Sequence, residues 1–150
     1  MGKLKEKHFL TAQNEYAKML SRFAQLEILE VPDESLTGVK SPAGELAALL
    51  AEEARILPRL SGHVVACDIA GRQMTSEEFA AYIQNCMTGG ESEICFVIGG
   101  SIGMTDNVKN KAALRLSVSR MTMPHRLFRI VLLEQVYRAF KIMNGEVYHK

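Results

Sequence analysis

One run of five consecutive apolar residues constrains the fold of this chain more than any other segment: residues 94–98, ICFVI, followed by two glycines. Side chains alternate between the two faces of a strand, so a strand that is apolar at every position needs cover on both faces. Such strands are typical of parallel sheets that lie between layers of helices. The run therefore predicts a buried strand of an α/β fold, with a turn at Gly99 and Gly100.

Helix and strand patterns alternate along the rest of the chain. Apolar periodicity, helix-forming composition and capping residues predict helices over residues 8–23, 45–57, 76–87, 106–113 and 125–143, with Thr105 as the N-cap of the fourth. Alternating or continuous apolar runs predict strands over residues 26–31, 63–69, 94–98 and 114–118. Thr75 and Glu78 have the spacing of a capping box for the third helix. The alternation predicts one α/β domain over residues 1–150, with a parallel sheet flanked by helices.

Composition and cysteine content argue against several other classes of protein. Of the 150 residues, 47% are apolar and 23% are charged, which excludes a disordered or collagen-like chain. The apolar stretches are far shorter than the ~20 residues that span a bilayer, and no signal-peptide pattern opens the chain. Three cysteines without CxxC spacing argue against a disulfide framework and a zinc site. We therefore expect a cytoplasmic protein without a metal or a membrane partner.

The charges are distributed unevenly along the chain. Residues 1–108 carry 9 Lys and Arg against 15 Asp and Glu, a net charge of −6, whereas residues 109–150 carry 9 against 2, a net charge of +7. A basic C-terminal third is what a phosphate-rich partner would require. The same charges could also be scattered over a solvated face, and composition alone leaves both readings open.

Parallel α/β sheets bind ligands beyond the carboxyl ends of their strands, which directs attention to the loops after Ile69, Ile98 and Val118. The loop over residues 99–103 (GGSIG) has the glycines that let a backbone approach a ligand closely. It matches neither the GxGxxG motif nor a phosphate-binding loop, so a dinucleotide or nucleotide triphosphate site is only weakly supported. The loop is either a site for another ligand or a tight turn. A nucleotide-dependent oxidoreductase is disfavoured for the same reason.

The segment over residues 117–126 (SVSRMTMPHR) combines two methionines, three hydroxyl side chains and a Pro-His pair. Such a surface could hold an amphipathic small molecule, although Met121 and Met123 could equally fill the core. In the final helix, Glu134 lies four residues before Arg138, which predicts an ion pair or, alternatively, a proton acceptor. The terminal Tyr-His-Lys is either a frayed tail or a loop that touches an RNA base and phosphate.

Three segments together resemble one family. They are GKLKEK (residues 2–7), FVIGGSIGM (residues 96–104) and SVSRMTMPHRLFRIVLLEQVYRAFKIMNGEVYHK (residues 117–150). In this order they are similar to the SPOUT-class methyltransferases of the RlmH type, which methylate N3 of a pseudouridine in 23S rRNA. The resemblance covers nearly the whole chain and is strongest over residues 94–150.

The resemblance implies a C-terminal trefoil knot and a pocket for S-adenosyl-L-methionine formed by the loops after the last three strands. It also implies a homodimer in which the C-terminal residues of one subunit lie near the cofactor of the other. The positions that carry over as cofactor contacts are Cys67, Gly99, Val118, Ser119, Arg120, Met121, Thr122 and Met123. At Cys67 the family more often has leucine, so this contact is expected to be apolar rather than chemical.

The implied substrate is 23S rRNA within the assembled 70S ribosome, and DNA is not an expected partner. The polar groups expected near the target base are Glu134, Tyr148 and His149. The cations expected to bind RNA are Arg126, Arg129, Arg138 and Lys150.

One departure from the family pattern lies at the start of the chain. Family members usually have a short apolar strand before the Gly-Lys segment, whereas this sequence opens with Met-Gly-Lys. Either the sequence is truncated at a misread start codon, or the sheet is smaller and lacks that first strand. The alternative function is a non-catalytic ribosome-binding or assembly protein that retains the knotted fold.

Overall fold

The computed structural model describes residues 2–39, 41–146 and 148. The predicted α/β class with a parallel sheet flanked by helices is confirmed. In chain order the elements are α1 (Lys7–Leu20), α2 (Pro42–Ile56) with a 3-10 turn (Leu57–Arg59), β1 (His63–Gln73), α3 (Ser76–Thr88), β2 (Ile94–Ile98), α4 (Asp106–Asn110), β3 (Leu114–Ser117) and α5 (His125–Met143).

The three strands are parallel and lie in the order β2-β1-β3, so β1 is the central strand. Cys67 is the register partner of both Ile98 in β2 and Leu116 in β3. The carboxyl ends of all three strands therefore meet at one edge of the sheet. This edge is where the parallel topology predicts a ligand site.

Helices cover the sheet on both faces, as the continuous apolar run of β2 predicts. Val64 and Ala66 of β1 face the side of α2 and α4, where Ile56 and Val108 complete the core. The opposite face carries α3 and α5, with a core of Val65, Phe79, Ala80, Ile83, Leu116 and Ala139. Burial of these apolar side chains on both faces is the main stabilising contribution to the fold.

The first helix packs on α5 rather than on the sheet. Leu20 of α1 is 1% exposed and lies against Leu133 and Phe140 of α5. Phe23 stacks on Phe140, with ring centroids 5.5 Å apart. At 19 residues α5 is the longest helix, and none of the helices in the described ranges is long and apolar enough to cross a bilayer.

The helix starts follow local capping signals. At the start of α3, the predicted capping box is confirmed: the Thr75 hydroxyl accepts from the Glu78 N–H at 3.2 Å, and the Glu78 carboxylate accepts from the Thr75 N–H at 2.8 Å. Helix α2 begins three residues earlier than predicted, at Pro42. Ser41 caps it by accepting from the Gly44 N–H at 3.2 Å, and proline is well tolerated at the first helical position.

The predicted strand over residues 26–31 is wrong, because this segment is extended but pairs with no strand. One backbone hydrogen bond, from the Gly2 N–H to the Val31 carbonyl at 2.9 Å, resembles a bond between paired strands. The next donor, the Leu4 N–H, bonds to the Glu30 carboxylate at 3.1 Å rather than to a backbone carbonyl. A side chain thus replaces the ladder partner, and residues 2–6 form no strand in the described chain.

The central strand is longer than predicted, ending at Gln73 rather than at Ile69. The β1–β3 register shifts between Cys67 and Arg72, so residues 68–71 form an irregular stretch before pairing resumes. A Cβ at Gly71 would lie 2.6 Å from the carbonyl carbon and oxygen of Arg115. Only glycine allows this close approach of the two backbones.

The connection into β3 also differs from the prediction. Helix α4 ends at Asn110 rather than at residue 113, because the Ala113 N–H bonds to the Val64 carbonyl at 2.9 Å and joins the sheet. Strand β3 ends at Ser117, one residue early, where the Ser117 hydroxyl donates to the Ser119 carbonyl at 2.9 Å. The bounds of β2 and α5 agree with the predictions.

Candidate functional site

A cavity of about 570 Å³ lies at the carboxyl edge of the sheet. Its walls come from the ends of β1 and β2, the glycine-rich loop, α4, the loop after β3 and the start of α5. The lining residues include Cys67, Asp68, Ile69, Ile98, Gly99, Gly100, Gly103, Met104, Lys109, Ser117, Val118, Ser119, Met121, Thr122, Met123, His125 and Phe128. The cavity is thus positioned by the strand register and shaped by the loops.

The cavity brings together seven of the eight positions named as cofactor contacts. Cys67, Gly99, Val118, Ser119, Met121, Thr122 and Met123 all line it. Arg120, the eighth, is exposed and is not among the lining residues. Its neighbours on both sides, Ser119 and Met121, do line the cavity.

The glycine-rich loop is both a tight turn and a cavity wall, so the two readings of its sequence are compatible. The Gly103 N–H bonds to the Gly100 carbonyl at 3.1 Å, and Gly103 has a φ of +85°. A Cβ at Gly99 would lie 2.5 Å from the Gly103 carbonyl oxygen. Because neither position accommodates a side chain in this conformation, the wall presents backbone groups to the cavity.

Hydroxyl side chains shape the loop after β3. The Ser117 hydroxyl donates to the Ser119 carbonyl, and the Ser119 hydroxyl accepts from the Met121 N–H at 2.9 Å. Met121 is 78% exposed, so it is not a core filler, whereas Met123 is half-buried. The loop therefore presents soft apolar side chains and backbone groups together on one wall of the cavity.

Sequence reasoning missed Asp68 and Lys109, which form a charged wall of the cavity. Asp68 accepts from Arg115 Nη2 at 2.6 Å, and Lys109 Nζ lies 3.6 Å from the same carboxylate oxygen. Burial opposes ionisation of Asp68, but the hydrogen bonds from Arg115 and the Ala70 backbone, with the Lys109 charge, lower its pKa. Its position as the one carboxylate within the otherwise apolar run of β1 was the available signal.

The Cys67 thiol is not a nucleophile in this environment. Burial, with a smaller contribution from the neighbouring Cys95, raises the pKa of Cys67 to about 12. The thiolate is the reactive form of cysteine, so a thiol with this pKa is inert near neutral pH. Cys67 therefore forms an apolar wall of the cavity, and all three cysteines are free.

His125, at the start of α5, is a further lining residue that sequence reasoning did not select. Burial lowers its pKa, aided by the nearby Arg126 charge and opposed by Asp33. Its Nε2 atom is buried without a hydrogen-bond partner among the described residues. A neutral imidazole thus closes the cavity on the side of Gly2 and Asp33, both of which lie beside it.

The group containing Glu134 lies elsewhere on α5. Glu134 accepts from Arg138 Nε at 2.9 Å, so the predicted ion pair is confirmed, and its other oxygen accepts from Gln135 at 2.6 Å. The Arg138 guanidinium lies 4.8 Å from the ring centroid of Tyr148. The hydrogen bond with Glu134 raises the pKa of Arg138. Carboxylate, cation and phenol thus form one cluster, which we call the Glu134 cluster.

The Glu134 cluster does not line the cavity. Glu134 follows His125 by nine residues, which corresponds to about 13 Å along a helix. His149 and Lys150, also named as site residues, lie outside the described residues. Within one chain, the cavity and the Glu134 cluster are therefore separate.

All three arginines named as RNA ligands have partners inside the chain, Arg138 through its ion pair with Glu134. Arg129 is 8% exposed and donates to Glu30 at 2.8 Å, to Gln13 at 3.1 Å and to the Gly2 carbonyl at 3.0 Å. Arg126 pairs with Glu6 and is partly exposed. The Arg129 guanidinium is thus enclosed by acceptors of its own chain, and its contact with RNA stays a prediction.

A smaller cavity of about 310 Å³ lies on the α3–α5 face of the sheet. It shares Leu116, Ser117, Val118 and Met123 with the larger cavity. The loop after β3 thus separates the two cavities. No cluster of three or more potential metal ligands occurs in the ranges that the structure describes.

Comparison with known proteins agrees with these observations. The model of the family described as "Predicted SPOUT methyltransferase" matches residues 1–149. The chain is 49% identical to the ribosomal RNA large subunit methyltransferase H 1 of Clostridium perfringens (strain SM101), over all of this chain and 96% of that protein. It is 47% identical to the ribosomal RNA large subunit methyltransferase H of Bacillus thuringiensis (strain Al Hakam), with the same coverage.

A third relative, the ribosomal RNA large subunit methyltransferase H of Clostridium botulinum (strain Eklund 17B), is 46% identical, again over the whole of this chain. The match extends through both walls of the cavity and through α5. This chain therefore belongs to the SPOUT methyltransferase family.

Proposed function

We propose that this protein is an rRNA methyltransferase that uses S-adenosyl-L-methionine to methylate N3 of a pseudouridine in 23S rRNA. The proposed substrate is the assembled 70S ribosome in the cytoplasm. The observation that carries the proposal is that seven of the eight positions expected to contact the cofactor line one cavity, the larger of the two described. The names of the relatives support the choice of ribosomal RNA.

The residues of the cavity fit this cofactor. A volume of about 570 Å³ lies within the usual range of small-molecule sites, about 300–1,000 Å³. The glycine-rich wall offers backbone groups at close range, and Met121, Met123 and Phe128 offer apolar surface. When bound, S-adenosyl-L-methionine supplies the electrophilic methyl group, so the chain needs no nucleophile of its own.

The protein must then position the base and remove a proton from N3. Because the Glu134 cluster lies apart from the cavity within one chain, we propose that a homodimer completes the site. The C-terminal residues of one protomer would lie near the cofactor of the other. The trefoil knot implied by the resemblance stays a prediction.

Within the Glu134 cluster, each side chain has a proposed task. Glu134 holds the Arg138 guanidinium by hydrogen bond, and Arg138 in turn lies against the Tyr148 ring. We propose that Arg138 and Arg126 contact RNA phosphates, and that Glu134 and Tyr148 lie beside the target base. His149 and Lys150 are proposed partners in the same surface. Bidentate donors such as arginine suit phosphate groups.

The first experiment tests cofactor binding and modification together. Calorimetry should detect binding of S-adenosylhomocysteine, and mass spectrometry should find one 23S pseudouridine unmethylated in cells lacking the protein. Expression of the wild-type gene should restore the methyl group. Absence of any binding would instead favour a non-catalytic ribosome-binding protein.

The second experiment tests the Glu134 cluster. Glu134→Ala should lower methyl transfer to 70S ribosomes while S-adenosylhomocysteine still binds, because Glu134 does not line the cavity. Glu15→Ala, an exposed change on α1, is the matched control and should leave turnover unchanged. Unchanged turnover of Glu134→Ala would remove this residue from the proposed mechanism.

A further inference from the structure

We propose that Glu52 is a positioning residue for the cofactor cavity: its carboxyl group, buried beneath the glycine-rich loop, sets the position of the Gly100 backbone. The proposal rests on the proposed function, since it concerns the affinity of the same cavity for its cofactor. Glu52 does not line the cavity and would act only through the loop.

Among the described residues, Glu52 is the most deeply buried charged residue, with an exposed fraction of 3%. It lies on the core face of α2 with Ala48 and Ile56, at positions where this helix otherwise carries apolar residues. One carboxyl oxygen, Oε1, accepts from the Glu34 N–H at 2.9 Å. The other, Oε2, is buried without a hydrogen-bond partner among the described residues. Such a group costs stability, so its presence calls for a physical reason.

That carboxyl group faces Gly100. A Cβ built at Gly100 would lie 2.8 Å from Oε2 and 3.0 Å from Oε1 of Glu52, and its nearest neighbours are all atoms of this one side chain. Gly100 has no positive φ, so its backbone alone would tolerate alanine. An alanine methyl group at this position would therefore press on the Glu52 carboxyl group, so that either this side chain or the loop must shift.

The neighbouring residue, Glu53, contacts the far end of the same loop. Its carboxylate accepts from the Thr105 hydroxyl and from Asn107 Nδ2, the latter at 2.8 Å. Thr105 caps α4, which closes the loop that Gly99 begins. Two adjacent carboxyl groups of α2 thus lie against the two ends of this cavity wall, Glu53 through hydrogen bonds and Glu52 through close contact with Gly100.

Glu52 is also bonded to a segment that lies near the cavity residue His125. Through the Glu34 N–H it fixes a segment that Arg55 holds as well, by donating to the Pro32 carbonyl at 3.2 Å. Asp33 lies between Pro32 and Glu34 in this segment. It is close to the cavity residue His125, since a Cβ built at Gly2 would lie within 3.3 Å of both side chains. One buried side chain therefore contacts both the glycine-rich loop and the segment beside His125.

The test measures the affinity for S-adenosylhomocysteine by calorimetry and the thermal unfolding of five variants. Gly100→Ala and Glu52→Ala should each weaken binding by about tenfold, because a displaced wall no longer matches the ligand. Glu52→Gln keeps the shape and an oxygen for the Glu34 N–H, so it should stay within about threefold of wild type. Glu45→Gln, an exposed change on the same helix, is the control.

The double variant Gly100→Ala/Glu52→Ala decides whether the two residues act through each other. Removing the carboxyl group makes room for the added methyl, so the double variant should bind no more weakly than Gly100→Ala alone. In methyl-transfer assays, the KM for S-adenosyl-L-methionine should rise while kcat at saturation is kept. A merely structural role would instead reduce the fraction of binding-competent protein at an unchanged Kd.

Several results would overturn the proposal. Wild-type affinity in both Gly100→Ala and Glu52→Ala, or additive losses in the double variant, would show that Glu52 does not position the loop. If Glu52→Ala does not fold, Gly100→Ala and Glu52→Gln still decide. Failure of the wild-type protein to bind S-adenosylhomocysteine would reject the proposed function and this role together, whereas normal wild-type binding with unaffected variants would reject the role alone.

Discussion

Asp68 and Arg115 are joined across the central and edge strands by two hydrogen bonds to one carboxylate oxygen, 3.1 Å from Nε and 2.6 Å from Nη2. The Asp68 side chain is 9% exposed, whereas that of Arg115 is 43% exposed. The pair spans the point where the β1–β3 register shifts, so it stabilises the least regular part of the sheet. Asp68 also lines the cavity.

Asp68→Asn should lower the free energy of unfolding at pH 7 by about 1–2 kcal/mol, a modest value because solvent screens Arg115. Since the pKa of Asp68 is lowered in the folded state, the charged carboxylate stabilises the fold above the ordinary aspartate pKa. The contribution is lost as the pH falls through the folded pKa. Urea unfolding should show that the difference in free energy of unfolding between wild type and variant is smaller below pH ~4 than at pH 7.

The control for this measurement is Asp106→Asn, whose carboxylate is 92% exposed. It should change stability by less than about 0.5 kcal/mol at either pH. A gap for Asp68→Asn that stays constant or grows in acid would contradict the assigned direction of the pKa shift.

Gly71→Ala should be strongly destabilising, by more than about 2 kcal/mol, because the added methyl would lie 2.6 Å from the Arg115 backbone. Gly90→Ala separates this steric cost from backbone strain: its φ is +92° and no atom lies within 4 Å of the added methyl. Gly90→Ala should cost only about 1–2 kcal/mol. Thermal unfolding of both variants checks the order, and equal losses would contradict a clash at β3.

Cys67 should resist alkylation in the folded protein. With a pKa of about 12, only about one thiol in ten thousand is ionised at pH 8. Iodoacetamide labelling followed by peptide mass spectrometry should therefore modify Cys67 at least about a hundredfold more slowly than a free cysteine peptide. Urea-unfolded protein is the control and should label at the ordinary rate; fast labelling in the native protein would contradict the raised pKa.

Thr75→Ala should lower stability by about 1 kcal/mol, because it removes the acceptor for the Glu78 N–H and half of the capping box. Thr88→Ala, at the other end of α3, removes a hydroxyl bonded to the Gln84 carbonyl but no cap. It should cost less than about 0.5 kcal/mol. Denaturant midpoints measured on both variants compare the two effects, and equal midpoints would argue against the capping box.

Features that depend on neighbouring residues could be predicted from the sequence. The apolar run of β2, the capping box of Thr75 and Glu78 and the apolar stripe of α5 are all local patterns, and the structure has them where they were expected. The alternation of elements was enough for the α/β class. The residues expected to contact the cofactor were predicted from the family resemblance, because no motif in the loops was specific by itself.

Other features depended on residues far apart in the chain. Residues 26–31 form no strand, because the Leu4 N–H bonds to the Glu30 side chain rather than to a backbone carbonyl. Strand β1 extends past Ile69 because its pairing with β3 resumes at Arg72. Asp68 was identifiable as a wall of the cavity only with Arg115 and Lys109 in place. Likewise, nothing local distinguishes the buried Glu52 from the exposed Glu45.

The amino-acid sequence by itself determined the helices, the buried strand and the class of the fold, because propensity, capping and apolar periodicity act over a few residues. Only the tertiary structure decided the strand register, the burial of Arg129 and Glu52, and the separation of the Glu134 cluster from the cavity. The physical reason is that burial and hydrogen bonding between distant segments are settled by which surfaces meet when the chain folds.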